Sequence, residues 1–229
     1  MTAPTDRTSA DTWFSRALKS RTWGGHQRAE CTDYMQAVLG GKLALEGYAA
    51  MVAQLYFVYV VLEEAAEAMR ADQVGGKFVF DSLLRTKALR ADLEYLVGAD
   101  WPSRIEPTGA TRKYCARMHE VCFDWPGGFI AHSYTRYLGD ISGGQIIRTA
   151  LERAFPTELV NGRGIAFYQF PGIADLSTFK REYRQLLDTV TWSTQEQAKV
   201  IDEALVAYQL NTDVLVELGG DLPRYLERS

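Results

Sequence analysis

The segment YTRYLGDISGGQIIRTALERAF, residues 134–155, decides how this chain is read. It reads as the main part of a helix running from Phe129 to Phe155, yet it contains Gly139, Gly143 and Gly144. A glycine inside a helix costs about 0.5–1 kcal/mol relative to alanine, because more backbone freedom is lost. Gly139 and Gly143 stand four apart, which on a helix is ~40° of rotation and ~6 Å of rise, so they share a face. Gly144 widens the bare strip, and Asp140 lies beside it. Small residues at this spacing let two helix backbones approach closely. The other reading is a backbone lying flat over a wide planar ligand, with a bend at the glycines. A third glycine exceeds what packing needs, and an acidic neighbour is out of place in a dry helix contact. Both features favour the ligand.

Helical patterns surround this segment: Thr12 to Leu39, with Gly24-Gly25 as a weak point, then Ala44 to Ala71, Phe80 to Leu96 and Thr111 to Phe123. After the glycine helix come Leu176 to Val190 and Gln195 to Leu218, with IAFYQF (165–170) read as a short extended piece. Nowhere does a period of two persist. The expected fold is all-α, a single-domain irregular multi-helix bundle. It is expected to occupy residues 12–220, between a flexible N-terminus (1–11) and a polar C-terminal tail (221–229).

Composition narrows the classes. With 229 residues, 47% of them hydrophobic, the chain can bury a full core. A net charge of −4 carries no footprint of nucleic-acid binding. The three cysteines, Cys31, Cys115 and Cys122, are an odd and sparse set that argues for a reducing compartment, read as cytoplasmic. No apolar run marks a secretory signal near the N-terminus. The most apolar stretch has an uncharged centre from Tyr48 to Leu62, broken by Gln54. That falls short of the ~20 residues that span a bilayer, so it reads as a core helix and not as a membrane anchor.

A wide planar ligand suggests a macrocycle, and iron in a macrocycle needs an axial ligand. The histidines are His26, His119 and His132. His132 lies on the glycine helix itself and is badly placed to ligate from the opposite face. His119, beside Glu120, reads as exposed or capping. His26 has Glu30 four residues on, one helical turn away. A metal-bound imidazole usually donates its second N–H to a carboxylate or carbonyl, and haem iron is commonly held by one neutral histidine. His-xxx-Glu is also common on solvated helices, so spacing alone leaves the pair a candidate.

At this point the residues resemble a known family. YTRYLGDISGGQ (134–145) is similar to the signature of the haem oxygenases. HQRAE (26–30), AQLYFVYVVLEE (53–64), RMHEV (117–121), GIAFYQFPGI (164–173), FKREYR (179–184) and ALVAYQLNTDVLVEL (204–218) resemble its other blocks, in order. The resemblance implies a helical fold that sandwiches haem between a proximal helix and a kinked distal helix. It implies an enzyme that opens the haem ring with O2 and reducing equivalents, giving biliverdin, carbon monoxide and ferrous iron. Haem b is then both cofactor and substrate.

The resemblance also assigns roles. His26 would be the proximal iron ligand and Glu30 its partner. Gly139, Gly143 and Gly144 would lie against the distal face, and Asp140 would order water and relay protons there. Lys19, Lys180 and Arg184, with Tyr134, would hold the haem carboxylates. Lys19 is two turns before His26, and Lys180 and Arg184 share a face. A solvated basic face is the alternative for the lysines, while the Arg184 fork suits a carboxylate. One departure from the family is Gly24-Gly25 directly before His26, which puts the register from Lys19 to His26 in question. Nothing resembles a flavin or nicotinamide site, so electrons would come from an external ferredoxin or flavoprotein reductase. Basic side chains such as Arg21, Arg28 and Arg181 offer a docking surface by sign. Iron acquisition, pigment supply and haem detoxification all stay open as the purpose. The competing classes are a haem carrier on the same scaffold and a thiaminase-like enzyme, which would need one of the three cysteines as nucleophile.

Overall fold

The computed structural model describes residues 13–226. It contains α1 (Phe14–Glu30), α2 (Asp33–Leu39), α3 (Leu45–Met69), α4 (Thr86–Val97), α5 (Gly109–Val121), α6 (Pro126–Ser133), α7 (Gly139–Ala154), α8 (Leu176–Asp188), α9 (Thr194–Gly219) and α10 (Leu222–Tyr225). Among the described residues there is no strand, only an isolated bridge between Leu43 and Leu226. The expected all-α bundle is therefore the fold.

Helix α3 is the axis of the core. It is long and apolar enough to cross a membrane by length and composition, but most of it is buried inside the protein. Tyr48, Val52, Tyr59 and Leu62 have no more than trace exposure. Helices α4, α5 and α6 pack on α3, and α9 packs on α1, α5 and α6. Burial of this kind, roughly 1.5–3 kcal/mol for each large apolar side chain, is what fixes helices whose own propensities are modest.

Several boundaries differ from the sequence reading, each for a physical reason. The pattern expected from Thr12 to Leu39 is two helices, and the break falls at Cys31–Thr32 instead of at Gly24-Gly25. Thr32 caps α2 by accepting from the Met35 N–H. Helix α1 runs unbroken through both glycines. A Cβ at Gly25 would come within 2.9 Å of Tyr208 Cβ, so that glycine permits the close approach of α1 to α9. The helix expected from Phe80 begins at Thr86. Its first N–H groups are capped by Glu63 of α3, at 2.8 Å from the Thr86 nitrogen and closer still from Arg85.

The piece expected to be extended, IAFYQF, contains a 3₁₀ turn at Ala166–Tyr168. Asp92 of α4 holds it, accepting from the N–H groups of Ala166 and Phe167 at 2.8 Å each. Part of the expected polar tail is packed structure: α10 seats Tyr225 against α3 at Gly47, and Ala44 N–H donates to the Tyr225 carbonyl at 2.7 Å. The expected N-terminal stretch 1–11 lies outside the described residues.

Candidate functional site

The segment that opened the sequence reading is one helical run with an irregular turn inside it. α6 ends at Ser133, a π-helical turn occupies Tyr134–Leu138, and α7 starts at Gly139. The irregularity therefore precedes the glycines. Gly139 itself has ordinary helical angles, φ −61 and ψ −50. A π turn inserts one extra residue into a helix, and such turns recur at functional sites.

The three glycines are not equivalent. A Cβ at Gly139 would meet nothing within 4 Å, and one at Gly143 would meet only Glu30 Oε1, at 4.0 Å. Neither is buried under a neighbouring helix, which removes close helix packing as their explanation. Gly144 is different: a Cβ there would lie 3.0 Å from Tyr168 Cδ1, so it serves a tight contact with the 3₁₀ turn. Gly139 and Gly143 instead face a cavity of about 360 Å³ between α1 and α7. His26, Glu30, Gly139, Asp140, Gly143 and Gly144 all line it, among apolar side chains such as Met51, Val58, Phe167 and Leu215.

Structure separates the three histidines. His132 is fully buried and pairs through Nε2 with Glu203 Oε1 at 3.0 Å. His119 is exposed and stacks on Phe123. His26 alone lines the cavity. Its Nδ1 is buried without a hydrogen-bond partner. Glu30 Oε2 stands 3.5 Å away, a charge contact but beyond good hydrogen-bond geometry. Because α1 is unbroken, Lys19 and His26 are indeed two turns apart on one helix.

Asp140 is 7% exposed and carries the most elaborate polar environment in the cavity. Tyr59 of α3 donates to its Oδ2, and Arg136 Nη2 donates to its Oδ1 at 3.3 Å. Arg136 is held in turn by Asn211 of α9. Burial pushes the Asp140 carboxyl pKa up, and the Arg136 charge, the Tyr59 hydrogen bond and the Arg85 charge oppose that rise without cancelling it. Tyr59 is raised too, by burial first and then by Asp140, so it stays a neutral donor.

Lys19, Tyr134, Lys180 and Arg184 do not line the cavity but group beside it. Lys180 Nζ donates to Ser142 Oγ at 3.3 Å, one residue from Gly143. Its pKa is lowered, by partial burial first, then by Arg184, with Lys19 adding to the effect. Tyr134 is buried near Arg184 and Thr22. Among the described residues none of the three cations is in a salt bridge. Three like charges from α1 and α8 converge there, and Asp175 at the start of α8 offsets only part of their mutual repulsion at Lys180.

Sequence reasoning missed Tyr59, Arg136 and Asn211. Arg136 had a signal, since it stands four residues before Asp140 on the same helical run. Tyr59 and Asn211 come from other helices and have no local mark.

Comparison with known proteins agrees with this geometry. The family profile described as "Heme oxygenase" matches residues 12–217. The chain is 35% identical to "Heme oxygenase" of Rhodella violacea, covering 92% of this chain and 89% of that protein. It is 37% identical to "Heme oxygenase 1" of Nostoc sp., covering 91% and 87%. Among solved structures, haem oxygenase-1 of Synechocystis sp. in complex with haem superposes with a TM-score of 0.87 at 31% identity, covering 93% of this chain and 95% of that one. A bare-walled cavity between two helices, one bearing His26 and the other Asp140, on a chain matched along nearly its whole length, leads to one conclusion: this chain belongs to the haem oxygenase family.

Proposed function

We propose that this haem oxygenase holds haem in the cavity between α1 and α7, with His26 Nε2 as the proximal iron ligand. The enzyme opens the haem ring oxidatively to biliverdin, carbon monoxide and ferrous iron. The observation that carries the placement is Gly139, whose missing side chain leaves open space in the same cavity as His26. The residues fit the group. The lining is largely apolar, the His26 imidazole has no hydrogen-bond partner, and the cations Lys19, Lys180 and Arg184, none in a salt bridge among the described residues, suit two carboxylates. Tyr134 joins that cluster. Bound haem supplies both the iron at which O2 is activated and the ring that is opened.

The chain's own residues then do three things. Gly139 and Gly143 keep α7 thin where reactants must fit. Gly144 lets α7 seat tightly on Tyr168 and so fixes the height of that wall. Asp140 holds and moves a proton. Each of its oxygens accepts one protein donor and keeps a lone pair for water. Because burial raises its pKa, it binds a proton more readily than an exposed aspartate. Glu30, close to His26 Nδ1, favours the tautomer with Nε2 free.

Electrons come from an external ferredoxin or flavoprotein reductase, for which the exposed Arg21, Arg28 and Arg181 offer positive charge. The three free cysteines accord with a cytoplasmic, reducing setting. The test is to add haemin to the purified protein and to a His26→Ala variant, record the Soret band, then supply ascorbate in air. The wild type is expected to show a histidine-type band that decays to biliverdin. A histidine-type band retained in His26→Ala would overturn the ligand assignment.

A further inference from the structure

We propose that Trp23 is a positioning residue for His26, setting the plane of the imidazole by stacking where Glu30 does not set it by hydrogen bonding. This rests on the reading of His26 as the iron ligand. Trp23 stands three residues before His26 on α1, so the two side chains are neighbours on one face. Their rings are parallel to within 7°, with centroids 5.4 Å apart, an offset stack. Trp23 is 52% exposed, and burial in the core does not explain it.

Gly25, between Trp23 and His26, belongs to the same arrangement. Gly25 allows α1 to approach α9, since a Cβ there would strike Tyr208 at 2.9 Å. That approach brings the Tyr208 ring to His26, edge-on at 6.2 Å and 62°. The imidazole thus has an indole on one face and a phenol ring set against it at an angle. The usual device for fixing such a ring is a hydrogen bond from the nitrogen that does not bind metal. Here that nitrogen, Nδ1, is buried with no hydrogen-bond partner. Glu30 lies 3.5 Å away with a half-exposed side chain, so it exerts charge but little direction. Two aromatic contacts supply the direction instead. The WGGH sequence thus holds both contacts: Trp23 as the stacking ring, and Gly25, whose lack of a side chain lets the Tyr208 ring reach the histidine.

The experiment compares Trp23→Leu and Trp23→Phe with the wild type, using the full chain. In the haem-free protein, NMR reads the ring-current shifts of the His26 ring protons and their through-space contacts to the indole. In the ferric haem complex, the spread of the EPR g-values and of the paramagnetically shifted haem methyl signals reads the imidazole plane, and titration reads the haem Kd. Loss of one aromatic stack is expected to raise Kd by about 3- to 10-fold in Trp23→Leu. The same variant should lose the ring-current shifts and alter the methyl spread, and Trp23→Phe should restore most of each. A Trp23→Leu protein with unchanged methyl spread and unchanged Kd would overturn the positioning role. His26→Ala separates the two readings. If that variant keeps a histidine-type spectrum, the ligand assignment fails and this proposal with it. If it loses that spectrum while Trp23→Leu matches wild type, only the role of Trp23 fails.

Discussion

Replacing Gly139 by alanine should make the haem-free protein more stable and the enzyme worse. The glycine sits in helical backbone, where alanine is favoured by about 0.8–1.0 kcal/mol. A Cβ there meets nothing within 4 Å, so no steric term opposes that gain. For a protein of this size about 1 kcal/mol corresponds to roughly 2–4 °C in Tm. Gly144→Ala has the same propensity gain but places its methyl 3.0 Å from Tyr168 Cδ1 and 3.3 Å from Cε1. Tyr168 is 2% exposed and has nowhere to go, and overpacking of this kind costs about 1–3 kcal/mol. The second variant should therefore melt at or below the wild-type temperature. Thermal unfolding of the two haem-free variants beside wild type reads the difference directly. In turnover Gly139→Ala should fall, because its methyl group occupies cavity space. If Gly139→Ala melts below wild type, or if the two variants gain equally, the claim that Gly139 faces open space while Gly144 faces protein is refuted.

Three further outcomes are expected. Tyr59→Phe removes a buried donor from Asp140, so unfolding in urea should show a loss of about 1–3 kcal/mol; because that hydrogen bond holds the Asp140 pKa down, the pH profile of turnover should also move upward, and a profile identical to wild type would count against Asp140 as the proton carrier. Arg184→Glu reverses one member of the Lys19–Lys180–Arg184 cluster, so haem should bind more weakly or the ratio of biliverdin isomers should change, and unaltered affinity with unaltered isomers would remove the cluster from haem binding. Asp92 is 1% exposed and burial pushes its carboxyl up from 3.8 to about 6, against two backbone hydrogen bonds. Its folded state therefore binds the proton more tightly than the unfolded chain, so this group's contribution to stability is greatest at low pH and is lost as pH rises through about 6. The full loss is ~3 kcal/mol, about half of it between pH 5 and 8. Asp92→Asn should flatten that part of the stability–pH curve, and an unchanged slope would show that Asp92 does not titrate there.

The all-α bundle was legible because it depends on local spacing, whereas the pairing of His26 with the glycine helix came from the family resemblance, since spacing left His26 and Glu30 only a candidate pair. Helical periodicity, the Gly139–Gly143 interval and the His26–Glu30 interval are all properties of a short window. The errors share the opposite origin. The start of α4 depends on Glu63, 23 residues away from the Thr86 N–H it caps. The turn at Ala166–Tyr168 depends on Asp92, 74 residues from Ala166. The placement of a helix break at Gly24-Gly25 followed propensity, whereas the site of the break was decided by the Thr32 cap and by packing of Gly25 on Tyr208. Likewise Gly144 looked like a third member of the bare wall until its neighbour, Tyr168, came from another part of the chain.

Long-range contacts also hold α7, for an energetic reason. Three glycines weaken its local helix propensity by about 2–3 kcal/mol in total, and a π turn directly before them disturbs the hydrogen-bond ladder. A segment so weakened would fray unless tertiary contacts held it. The Asp140 carboxylate is tied to Tyr59 of α3 and, through Arg136, to Asn211 of α9. Breaking a buried ion pair of this type costs about 3–5 kcal/mol, because a charge is left without a partner. That is comparable to, or larger than, the helical deficit. The carboxylate proposed to carry the proton thus also anchors the helix whose bare face lines the cavity, so on that proposal function and rigidity at this wall depend on one residue.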